Sequence, residues 1–117
     1  MERNIVKSSI VAPVDLTGQE YLAVMPDGNL TAALGDTVYG IVYEGASTTD
    51  TSTIVTEGEW YARVGEAVVA KDVLTGGAAG KLMKVTKDAT SGGLQQAPFA
   101  IALEAGAADD VITVKLI

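Results

Sequence analysis

Apolar and polar positions alternate most regularly over Pro98 to Ile117. There Phe99, Ile101 and Leu103 interleave with Ala100, Ala102 and Glu104, and Ile112, Val114 and Leu116 interleave with Thr113 and Lys115. A period of two predicts two half-buried strands. Gly106, Asp109 and Asp110 supply the left-handed or side-chain-capped backbone that a tight reversal between them needs. A terminal strand that is not tied down frays, so the closing strand is expected inside its sheet, with the rest of the chain arranged around it.

The same alternation recurs upstream in shorter pieces. Glu20 to Met25 predicts a strand stopping at the Pro26-Asp27-Gly28-Asn29 turn, and Leu30 to Leu34 resumes it as a hairpin. In Thr37 to Glu44, Tyr39, Ile41 and Tyr43 share one face and Val38, Gly40 and Val42 the other; the gap at Gly40 predicts a bulge or a close backbone approach. Gly45 to Thr53 is small and polar and predicts an exposed loop. Ile54-Val55 and Glu59 to Val64 predict two strands around Glu57-Gly58. Glu66 to Leu74 predicts strand, turn, strand, because Val68, Val69 and Val73 outweigh its helix formers. Lys81 to Thr86 predicts a further strand, and Lys87 to Ala97 the last loop. With frequent turns and no sustained helical period, the expected fold is all-β: a compact small β-barrel or sandwich of roughly nine short strands.

Met1 to Leu16 alternates only loosely, through Ile5, Val6, Ile10 and Val11, and carries Pro13. This predicts an extended N-terminal arm over residues 1–16 and a single β domain over 17–117. An arm would dock on a partner by adding a strand to an exposed edge; a first strand of the domain or an unstructured leader suits the same residues. Trp60 and Tyr61, adjacent on a strand, should face opposite ways, one toward the core and one as a surface anchor.

Composition narrows the chemistry. At 117 residues with 48% hydrophobic but only 5% aromatic positions, the core must be built of small and β-branched side chains, and self-association is an expected source of further stability. The formal charge is −7 and the eight Lys and Arg form no stripe, which argues against nucleic acid and for a neutral or basic protein surface as partner. The absence of Cys and His removes disulfides, thiol nucleophiles, imidazole bases and the usual zinc sites. No segment has the apolar length of a signal core or a bilayer span, so no membrane partner is expected and the protein is expected in the cytoplasm that makes it, or released by lysis.

Two motifs invite chemistry and fail on their residues. Gly76 to Leu82 resembles a phosphate-binding loop, but only three residues separate Gly76 from Gly80 and Leu82 stands where Ser or Thr must reach magnesium. A hairpin loop explains it better. Asp109-Asp110 and Asp27-Gly28-Asn29 lack the alternating oxygens and distal Glu of a calcium loop, and turn chemistry accounts for both. No catalytic residue, metal ligand, cofactor or small-molecule substrate is assigned, and the chain is read as a non-enzyme.

Gly35 to Val42, Val55 to Trp60, Ala67 to Leu74 and above all Ala100 to Ala105 with Asp110 to Leu116 resemble the capsid cement, or head decoration, proteins of tailed bacteriophages. The resemblance covers most of Gly35 to Ile117, and Lys71 stands where that family commonly has Gly. Some of its members carry a recombinase-like label, which the failed phosphate-loop comparison does not support. The resemblance implies a compact β domain, usually a homotrimer, on the outer surface of the expanded virion head, bridging neighbouring major capsid protein subunits. Ile5, Val6, Trp60 and Tyr61 are then the candidate capsid or subunit contacts, and deleting Met1 to Val11 is expected to weaken shell binding while leaving the fold intact. Two other readings remain open: a virion surface adhesin or fibre domain using Tyr39, Tyr43 or Trp60 as a sugar-stacking platform, and a carboxylate hydrolase, which would need two carboxylates facing across a pocket.

Overall fold

The computed structural model describes residues 5–85 and 98–117. The loop expected over Lys87 to Ala97 and the first four residues of the expected arm lie outside the described residues. The described chain is all-β, with one short 3₁₀ turn at Ala78–Gly80. Its strands are β1 (Val6–Val11), β2 (Ala23–Val24), β3 (Gly40–Glu44), β4 (Thr51–Arg63), β5 (Val73–Gly76), β6 (Leu82–Lys84), β7 (Ala100–Ala102) and β8 (Val111–Leu116).

They form one eight-stranded sheet in the order β2-β3-β4-β8-β7-β5-β6, with β1 also on β4. The two ends of the β4-to-β6 part nearly meet: a parallel bridge joins Val64 to Leu82, and Gly65 N–H donates to the Leu82 carbonyl at 2.9 Å. The sheet is thereby rolled into an almost closed barrel, which limits the number of bare edges.

β8 sits where the alternation required it, between β4 and β7. Ile112, Val114 and Leu116 all point into the core. On β7 the inward face carries the small residues: Ala100 and Ala102 are buried opposite Leu116 and Val114, while Leu103 is exposed and Ile101 half-buried. A narrow barrel already filled by β8's branched side chains has room there only for methyl groups.

Gly58, with φ +101°, bends one strand where the sequence suggested a turn between two. The N-terminal half of β4 pairs with β1 and β3, and its C-terminal half, from Gly58, pairs with β8. The count is eight strands among the described residues, for this reason and because Val68 makes only a single bridge, to Gly106. Likewise the strand expected over Glu20 to Met25 shortens to β2, and its hairpin partner to a bridge between Val24 and Leu30.

Two hydrophobic clusters lie on opposite sides of β4. Val55 belongs to the larger, the barrel interior; Ile54 belongs to the smaller, with Ala12, Leu16, Val24 and Val42. Gly40 makes the predicted close approach, since a Cβ there would stand 2.4 Å from the Val55 carbonyl oxygen. Gly76 to Leu82 is the hairpin loop joining β5 to β6.

The segment expected as an arm is extended, but Val6–Val11 pairs antiparallel with this chain's own β4, and Ala12 and Leu16 are buried. Deleting Met1 to Val11 would uncover an edge of β4 and remove Ile10 from the smaller cluster. The structure therefore predicts that this deletion also destabilises the fold, where the sequence alone suggested that it would not.

Lys71 adopts φ +80°, a left-handed conformation that disfavours any residue with a Cβ. Its N–H donates to the Ala102 carbonyl at 2.8 Å, which fixes it there. Lys71→Gly is expected to raise stability by roughly 1 kcal/mol in urea unfolding, with an unchanged m-value.

Candidate functional site

The four aromatic residues around the bend in β4 are brought together by three local irregularities. Opposite Ile54 and Thr53, β3 shifts register between Val42 and Glu44, so Tyr43 is the extra residue of a bulge and its ring is re-aimed. Gly58 bends β4 just before Trp60 and Tyr61. Tyr21 lies at φ +71°, its N–H donating to the Val42 carbonyl at 3.0 Å and its carbonyl accepting from Arg63 N–H at 2.9 Å.

A continuous row of rings results. Tyr43 and Trp60 centroids are 5.1 Å apart, Trp60 and Tyr61 5.3 Å, and Tyr61 and Tyr21 6.3 Å in an edge-to-face arrangement. The Lys7 ammonium on β1 sits 4.3 Å from the Tyr43 centroid, a cation–π contact. Trp60 Nε1–H is buried and finds no acceptor, so packing alone holds the indole.

Trp60 and Tyr61 are both half-buried, where one core residue and one surface anchor were expected. Trp60 packs on the larger cluster, and its ring also meets that of Tyr61. Ile5 is half-buried and packs on the larger cluster, whereas Val6 is 48% exposed at the start of β1. Tyr39 lies apart from this row, against the smaller cluster, so it does not share a platform with Tyr43.

An open cleft of about 480 Å³ lies beside the row, lined by Tyr21, Tyr43 and Trp60 together with Glu20, Glu44 and Thr17. Glu20 Oε2 accepts from Gly45 N–H at 3.3 Å, which ties one carboxylate to the wall. Sequence reasoning missed Tyr21, Glu20 and Glu44. They stand far from Trp60 in the chain, and the bulge and bend that gather them have no side-chain signature.

A second cleft of about 450 Å³ is bordered by Arg63, Lys81 and Asp109. The Lys81 ammonium pairs with the Asp109 carboxylate, and Arg63 Nη1 donates to the Asp109 carbonyl. The hydrogen bond from Lys81, then its charge, holds the Asp109 carboxyl below the usual carboxylate range. Both cations are thus engaged. Among the described residues no three acidic, His or Cys side chains are grouped to hold a metal ion.

No protein-family model and no curated protein matches the chain. Among solved structures, the head fiber gp8.5 N base of bacteriophage phi29 is similar to it with a TM-score of 0.68 at 16% identity, over 97% of this chain and 94% of that one. At that identity the likeness concerns the fold: nearly the whole of this chain follows the path of a phage head fiber base.

Proposed function

We propose that this chain is a structural protein of a tailed-bacteriophage head, a decoration protein that binds the outer surface of the expanded shell as a homotrimer and bridges neighbouring major capsid protein subunits. The observation that carries the reading is the end-to-end likeness to the phi29 head fiber base, a protein named for a part attached to a phage head. The cement-family residues in Gly35 to Ile117 support the same class independently. In this reading the protein is made in the host cytoplasm, does no chemistry, and adds contact free energy across subunit boundaries. Many copies acting together turn modest single contacts into firm attachment.

The same likeness favours a second reading, in which this chain is the head-proximal base of a fibre or adhesin whose binding part lies elsewhere. Both readings require shell binding. Co-sedimentation with expanded shells of its own phage that lack the protein tests them together: saturable pelleting is expected, and a folded protein left in the supernatant would refute both.

A further inference from the structure

The cleft beside Trp60 combines aromatic faces with negative charge. Among the described residues its charged lining groups are Glu20 and Glu44, with no Lys or Arg. Trp60 Nε1–H is buried and so is not offered to an occupant; the lining combines ring faces and two carboxylates with the hydroxyl-bearing Thr17, Tyr21 and Tyr43. Such a lining suits a flat cation that stacks on a ring while donating hydrogen bonds to a carboxylate.

Lys7, which lies outside the cleft lining, already places an ammonium against Tyr43 and shows that the row holds a cation on its flank. The formal charge of −7 favours a basic partner over longer range.

We propose that this cleft receives an arginine side chain presented by the protein surface on which the chain is mounted. The guanidinium would stack against Tyr43 or Trp60 and donate to Glu20 or Glu44. Arginine exceeds lysine here because its plane matches both a ring face and a carboxylate edge. The identity of the partner as a capsid surface rests on the head-protein reading above; the chemistry of the cleft does not.

Trp60 is the only tryptophan in the chain, so its fluorescence reports on the cleft without labelling. The experiment titrates the full chain with the peptide acetyl-Gly-Arg-Gly-amide and, separately, with its citrulline analogue, which keeps the shape and loses the charge. The arginine peptide is expected to give a saturable change with Kd on the order of 1 mM, and the citrulline peptide to bind about tenfold more weakly or not at all. Glu20→Gln with Glu44→Gln should weaken the arginine peptide by about tenfold at unchanged circular dichroism; Glu44→Gln alone, at an exposed position, should weaken it in the same direction.

Equal binding of the two peptides, a response unaffected by the Gln substitutions, or no saturable response from folded protein would each overturn the proposal. Shell binding by a protein that ignores the arginine peptide would overturn the cleft assignment and leave the head-protein reading standing. Peptide binding without shell binding would uphold the cleft and remove the capsid as its partner.

Discussion

A chain that stops at Asp110 is expected to remain unfolded. β8 lies between β4 and β7, pairing with six residues of the first and three of the second. Its loss would open the barrel, leaving β4 and β7 each with an unpaired edge and their two groups of strands joined through the bridge between Val64 and Leu82. Ile112, Val114 and Leu116 would also leave the core. At roughly 1.5–3 kcal/mol for each large apolar side chain, about 5–9 kcal/mol of burial disappears, comparable to the whole stability of a typical domain. Far-UV circular dichroism and amide proton dispersion of the truncated chain check this; a cooperative unfolding transition would show that β8 is dispensable and the topology wrong.

Gly45→Ala is expected to be the most damaging Gly→Ala change among the described residues. A Cβ on Gly45 would stand 1.7 Å from the Leu16 carbonyl oxygen and 2.5 Å from its carbonyl carbon. Backbone cannot turn aside as a side chain can, and Leu16 is held by its own N–H donating to the Ala46 carbonyl at 2.9 Å. The segment covering the smaller cluster must therefore move, at a cost of about 3 kcal/mol or more. Gly18→Ala is the control, with φ +76° but nothing within 4 Å of its Cβ. It should lose only about 1–2 kcal/mol, the cost of a left-handed alanine. Urea midpoints of the two variants give the comparison; similar losses would mean that backbone conformation rather than the Leu16 contact sets the effect.

What could be read from the sequence follows from how each element announces itself. β8 was legible because Ile112, Val114 and Leu116 alternate with residues that leave the core, and one buried face suffices to fix such a strand. β4 was not, because Glu57-Gly58 carries the chemistry of a turn and only the neighbouring strands decide that Gly58 bends the chain without reversing it. β1 looked like an arm because an edge strand with one covered side needs no strong apolar pattern, and Val6–Val11 has little. The hairpin expected over Gly76 to Leu82 was legible from its glycines, and β5 and β6 pair across it. Of the aromatic row, Tyr43, Trp60 and Tyr61 were candidates from the sequence, but strict alternation grouped Tyr43 with Tyr39, which the bulge undoes, and Tyr21 was read only as part of a strand.

The most direct test of a head-bound role is the pelleting of purified protein with its own expanded, undecorated shells across a salt series, with bound copies counted against the shell's local three-fold positions. A decoration protein would saturate at three copies for each such position and stay bound to the mature shell, with affinity falling as salt rises if the carboxylate-lined cleft carries the contact. Folded protein that fails to pellet at any salt, or that pellets without saturating, would contradict the head-bound role.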